Sequence, residues 1–232
     1  LYNIELNKLH TTQENNYELF TEIGKDSNTE FHTKFYSKLN ESWDQLKDTY
    51  KDFMYNIIYP IVNKITGETE FAYQTFPTFR VHLPNNVAVV KFHKDSDFEH
   101  KHPEGEINFV IPLTDMFDTN SIYAESEPGK NDIKSFELKY GDLLCWNFNK
   151  CLHGNNINKT GLTRVSFDFR VLPMSKYNNQ NICHTSASIH KKYCIGNYYK
   201  YICEELIQEY NELKQLKKQK YKARDSWDRE KE

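Results

Sequence analysis

The feature that most constrains this chain is a change of apolar period near residue 73. Before it, Phe31, Phe35, Leu39 and Trp43 recur every four residues, and Leu46, Tyr50, Met54 and Ile57 continue the stripe. That spacing keeps one side of a helix apolar, so residues 1–72 read as helices packed on a core. From 73 to 172 the period falls to two, as in strands with one buried face. Strands are expected over 78–83, 87–92, 106–113, 121–126, 135–138, 142–146 and 163–171. Turn clusters such as Pro84-Asn85-Asn86, Pro103-Glu104-Gly105, Pro128-Gly129 and Asn158-Lys159-Thr160-Gly161 separate them. No helix-length segment intervenes, which excludes a parallel α/β sheet and points to an antiparallel sandwich or jelly roll. After Pro173 the pattern is irregular, then helical over about 198–220 and charge-dense over 214–232, which reads as a solvated helix. At 232 residues the chain fits a single domain. Its expected parts are 1–72 as helical support, 73–172 as the β core and 173–232 as a C-terminal cap.

Composition removes several functional classes. Thirty Lys+Arg against 33 Asp+Glu leave a net charge of -3, with no basic surplus for a nucleic-acid partner. Mean hydropathy is -0.81, and no apolar run approaches the roughly 20 residues of a membrane helix, so no membrane partner is expected. The five cysteines are odd in number and lack C-x-x-C spacing. They read as reduced thiols, and with no signal-peptide layout at the start the expected compartment is cytoplasmic. Oligomeric state is not legible.

The chemistry begins at His93-Lys94-Asp95. On a strand, residues two apart share a face, about 6–7 Å apart at Cα, so one imidazole and one carboxylate can grip one metal. A third ligand must come from elsewhere. Two histidines and a carboxylate on one side of Fe(II) leave the other positions open. Alone the pair is a weak signal, and a second stands at His102-Pro103-Glu104. The first ends a regular β run that fixes side-chain direction; the second flanks a proline in a turn, ill suited to rigid ligation. His100 and His102 therefore read as loop histidines near an entrance. The third ligand is expected on a later strand returning beside the first, and Cys151-Leu152-His153-Gly154 supplies it. Eleven residues on, Arg164, Ser166, Asp168 and Arg170 alternate with Val165, Phe167, Phe169 and Val171. Arg164 with Ser166 makes a carboxylate receptor, a guanidinium fork plus a hydroxyl. Seen by itself, the same strand could be a surface strand with an Arg–Asp pair.

His-x-Asp, a distal His and Arg-x-Ser together resemble the Fe(II)/2-oxoglutarate-dependent oxygenases of the double-stranded β-helix (jelly-roll, cupin-like) fold. The stretches 106–114, 120–129 and 164–171, with Gly196-Asn197-Tyr198-Tyr199, are similar to a phytanoyl-hydroxylase-like subgroup that includes oxygenase-like proteins of streptomycin biosynthesis. The resemblance covers about residues 73–200. It implies Fe(II) on His93, Asp95 and His153, with Arg164 and Ser166 on the distal carboxylate of 2-oxoglutarate, and O2 as oxidant. The implied reaction most often hydroxylates, releasing succinate and CO2; desaturation, ring closure and epimerisation are variants. Asp95 occupies the position that a halogenase of this class leaves small, which disfavours halogenation.

Further inward candidates are Asn108, whose amide could reach the co-substrate, and Lys91, Tyr123, Glu125 and His102 for a substrate. Their polarity suggests a small polar metabolite such as a sugar, cyclitol or amino-acid derivative. Arg170 is expected to pair with Asp168. The rival readings are a 2-oxoglutarate-independent or non-oxidative metal-dependent cupin enzyme, and a non-catalytic jelly-roll module for sugars.

Overall fold

A computed structural model describes residues 4–12, 30–41, 43–86, 92–179 and 192–229. The expected helices form as α1 (Glu30–Glu41), α2 (Trp43–Phe53) and α3 (Tyr59–Thr66), with one π-helical turn at Met54–Ile58 between the last two. That turn corrects the apolar stripe. A π turn takes an extra residue, which advances the face by one position. Ile58 is fully buried and Ile57 is 49% exposed, the reverse of what a regular helix would give. Pro60, with no amide hydrogen to donate, follows directly. Gly67 closes α3 in the left-handed region (φ 73°), where its amide donates to the Asn63 carbonyl at 2.8 Å.

Among the described residues nine strands follow: β1 (Glu70–Gln74), β2 (Thr78–His82), β3 (Ile107–Pro112), β4 (Tyr123–Ala124), β5 (Lys134–Ser135), β6 (Leu144–Trp146), β7 (His153–Gly154), β8 (Arg164–Pro173) and β9 (Tyr199–Cys203). The main sheet runs β6-β3-β8-β1-β9, with β2 also on β8, and a smaller sheet runs β5-β4-β7. Every strand pairing in both is antiparallel. Together they form the jelly-roll core. The ten-residue β8 is its axis, pairing β3 on one side and β2 and then β1 on the other.

Two parts of the main sheet lie outside the expected 73–172. β1 begins at Glu70, and β9 occupies residues that the local pattern assigns to the C-terminal helix. Five residues of β9 pair with β1, which places Tyr199 and Ile202 in separate apolar clusters. Tertiary pairing outweighs local helical preference there. The helix, α5 (Glu204–Arg229), starts only afterwards, with Glu204 and Glu205 in its first turn. A short helix, α4 (Met174–Asn178), follows β8. Of the expected strand 87–92, residues 87–91 lie outside the described residues.

The two faces of β8 divide the molecule. Phe169 and Val171 join Phe71, Tyr73 and Phe109 against Tyr50, Met54, Ile58 and Val62, so the N-terminal helices cover the apolar face. Arg164, Ser166, Asp168 and Arg170 alternate with these on the same strand and so occupy the opposite face, with Asn108 directly across from Arg170. That polar face positions the site.

Candidate metal centre

His93 and His153 meet through their backbones before their side chains do. Each amide donates to the other's carbonyl, at 2.9 Å from His93 and 3.0 Å from His153. This antiparallel bridge brings two residues sixty apart in sequence side by side. Gly154 permits it: a Cβ there would lie 2.9 Å from Phe92 Cγ and 3.0 Å from Phe92 Cα. Asp95 is held by its amide on the Phe148 carbonyl at 3.1 Å, with Ser96 on Asn149 at 3.2 Å.

The donor atoms of His93, Asp95 and His153 all lie within 4.8 Å of one another. Asp95 Oδ1 is 3.4 Å from His93 Nε2 and 3.6 Å from His153 Nε2. His153 Nδ1 is 3.1 Å from the Cys151 carbonyl, which can only accept. That contact assigns the proton to Nδ1 and leaves the Nε2 lone pair for a metal. Burial pushes the His153 imidazolium down to about 4, so the ring is neutral near pH 7. Burial alone would raise the Asp95 carboxyl, but the Arg170 guanidinium, with His93, His102 and His153, holds it well below the usual carboxylate range. Two imidazoles and one carboxylate suit a divalent metal with open positions.

Arg164 is buried at the far end of the same face. Its Nη1 donates to Ser166 Oγ at 2.8 Å and its Nε to the Asn120 carbonyl at 3.2 Å. His82 is its register partner on β2, and burial with the Arg164 charge lowers that imidazole to about 3. The Arg–Ser pairing read from the sequence is therefore present, as is the Arg170–Asp168 pair at 2.8 Å.

Other expected site residues are placed differently. Asn108 spends its amide on protein: Nδ2 donates to Asp95 Oδ2 at 2.7 Å and Oδ1 accepts from the Asn149 amide at 3.1 Å. Tyr123 and Glu125 are turned away from the metal ligands, because the register sets Ala124 opposite His153. The Glu125 carboxylate accepts from the amides of Leu152, Asn131 and Gly129, at 2.8, 3.0 and 3.2 Å. Those amides lower its pKa, and the residue anchors loops. His102 is no loose entrance histidine. It turns inward onto Glu106 Oε2 at 2.9 Å, with its ring against Tyr193. His100 lays its ring on His93, centroids 4.0 Å apart. Lys91 lies outside the described residues.

Sequence reasoning missed what stands behind Asp95. Arg170 donates to Asp95 Oδ2 through both Nε and Nη2, at 3.1 and 3.0 Å. Buried Glu106 lies 3.8 Å from Arg170 and accepts from the Tyr199 hydroxyl. Asp95, His102 and Glu106 form a second group of close donors. The polar alternation of β8 was the available signal for Arg170, but its partner is 75 residues away in a loop.

No family model matches the chain. It is 39% identical over 118 residues to the streptomycin biosynthesis protein StrG of Streptomyces griseus, a match over 50% of this chain and 55% of that one. The resemblance to streptomycin-biosynthesis proteins thus holds, and the chain spans about half the length of this curated relative. Solved structures similar to it include the non-heme monooxygenase ThoJ in a nickel complex (TM-score 0.41, 13% identity, 53% of each chain). A 2OG-Fe(II) oxygenase family oxidoreductase from Burkholderia pseudomallei has TM-score 0.41 at 15% identity, over 54% of this chain and 56% of that one. The alpha-ketoglutarate-dependent epimerase SnoN has TM-score 0.42 at 15% identity, over 56% and 59%.

Proposed function

We propose that this chain is an Fe(II)- and 2-oxoglutarate-dependent oxygenase that hydroxylates a small polar metabolite. The observation that carries the reading is the convergence of His93, Asp95 and His153 donors within 4.8 Å. They lie beside a polar sheet face that ends in buried Arg164 and Ser166. The residues fit the metal: His153 presents a neutral Nε2, and Asp95 stays ionised and offers Oδ1. Fe(II) held there, with 2-oxoglutarate and O2, supplies oxidative decarboxylation to succinate and CO2, coupled to removal of a substrate hydrogen.

The protein's part is binding and orientation. Arg164 receives the distal carboxylate of the co-acid, and the Ser166 hydroxyl fixes the guanidinium plane. Among the described residues, charge along the polar face is balanced, with Asp95, Glu106 and Asp168 against Arg80, Arg164 and Arg170. A divalent cation and a dianionic co-acid bound together preserve that balance, whereas either alone leaves a buried excess. Paired uptake of iron and co-acid is the expected consequence.

A small polar substrate is favoured by the buried polar groups of this face and by the relative's role in streptomycin biosynthesis. The test is succinate release with Fe(II) and 2-oxoglutarate across sugars, cyclitols, amino-acid derivatives, fatty acyl compounds and terpenoids. Stimulation by the polar set supports the reading. Stimulation confined to the lipophilic set removes the substrate class, and succinate release by none removes the oxygenase reading.

A further inference from the structure

We infer that Arg170 and Asn108 are positioning residues that make Asp95 a one-oxygen metal ligand; this rests on the metal-centre reading above. A carboxylate can bind a metal through one oxygen or both, and the second mode fills a coordination position. Here the two Asp95 oxygens have different surroundings. Oδ1 faces the Nε2 atoms of His93 and His153, at 3.4 and 3.6 Å. Oδ2 faces away, into three N–H donors: Asn108 Nδ2 at 2.7 Å, Arg170 Nη2 at 3.0 Å and Arg170 Nε at 3.1 Å. Three donors occupy the lone pairs of one oxygen, so only Oδ1 is left for a cation.

The donors cannot follow Asp95 if it rotates, because each is held at its other end. Asn108 Oδ1 accepts from the Asn149 amide at 3.1 Å. Arg170 Nη1 donates to Asp168 Oδ2 at 2.8 Å, and Asp168 is gripped in turn by Arg80 Nε at 2.5 Å. Gln74 Oε1, 3.5 Å from Arg170 Nη1, also accepts from the Tyr198 hydroxyl at 2.9 Å. Strands β1, β2, β3 and β8 and the Tyr198–Tyr199 segment therefore all bear on one carboxylate oxygen. The arrangement keeps a coordination position open for the co-acid or O2.

The experiment uses Co(II), whose visible absorption weakens as its coordination number rises. Co(II) is titrated anaerobically into the full chain, Asn108→Leu and Arg170→Lys, without 2-oxoglutarate. Asn108→Leu keeps the shape with one donor removed, and it stands if Arg170→Lys fails to fold. The expected result is about tenfold to hundredfold weaker Co(II) binding and lower absorption per bound cobalt, as Oδ2 joins Oδ1. A wild-type cobalt spectrum in a variant with a lowered melting temperature would mean packing alone, and would overturn the inference. Failure of the unmodified chain to bind Co(II) would overturn the metal-centre reading, and this inference with it.

Discussion

The segment ending at Asp95 and the turn at Glu104 each carry a histidine and a carboxylate two residues apart. In the first, the His93 backbone is bridged to His153 and the Asp95 amide to Phe148, and both side chains converge with His153. In the second, His102 turns inward onto Glu106, while the Glu104 side chain is 72% exposed and lies 3.7 Å from Lys150. The same spacing converges in one and diverges in the other. Spacing directs side chains only where hydrogen bonds on neighbouring strands fix the backbone. The left-handed Lys101 (φ 55°) and Gly105 (φ 88°) bend the second segment out of any such ladder.

The largest effect that tests this contrast is loss of a ligand at the converging site. His153→Ala should weaken Fe(II) binding by on the order of a hundredfold or more, above the range seen for supporting residues. Glu104→Ala should leave it unchanged in the same anaerobic titration. Equal effects in the two variants would break the comparison.

Part of this contrast was legible beforehand: Arg164 and Ser166 lie on β8 and His153 on β7, where period two sets direction, and His93 is bridged to His153, whereas Asp95 lies in the loop that follows. What was not legible depends on pairing across the fold. Arg170 on Asp95 needs the β3–β8 register and the placement of the 95–102 loop together. Tyr123 and Glu125 were placed on the wrong side because a two-residue strand gives no register of its own. β9 looked helical because its partner β1 is more than a hundred residues earlier. The shift from Ile57 to Ile58 follows from a π turn that the apolar stripe does not announce.

Gly154→Ala sharpens the contrast at the bridge itself. The added Cβ would press on the Phe92 backbone, an overpacking that costs about 1–3 kcal/mol. Metal affinity should fall about tenfold or more as His93 is displaced, read by the same titration. Unchanged affinity would mean that the bridge does not position the ligands.

Arg164→Lys separates the co-acid site from the metal site. It keeps the charge but loses the fork, and should raise the Michaelis constant for 2-oxoglutarate about tenfold with iron affinity little changed. An unchanged constant would move the carboxylate to another cation, Arg80 being the next to test.

The smallest effects concern groups outside the ligand set. His102→Ala should weaken metal binding a few-fold at most, since the His102 ring hydrogen-bonds Glu106 and its own tie to Asp95 is the backbone amide, which the substitution keeps. A loss as large as that of His153→Ala would make the second donor group the real centre. In the metal-free chain, burial holds His32 and His153 down to about 4 and His82 to about 3. The unfolded chain therefore takes up protons first as pH falls below 6.5. Stability should decline from there towards pH 4, measured by denaturant melts across that window. A flat profile would mean that these rings are not buried as neutral groups.

The most direct measurement is an anaerobic titration of the unmodified chain and Asp95→Ala with Fe(II) and 2-oxoglutarate, following the weak visible charge-transfer band. The expected result is a saturable band at one iron per chain that requires both components and vanishes in Asp95→Ala while the fold persists. A band retained in Asp95→Ala, or none in the unmodified chain, would contradict the assignment of His93, Asp95 and His153 as the iron site.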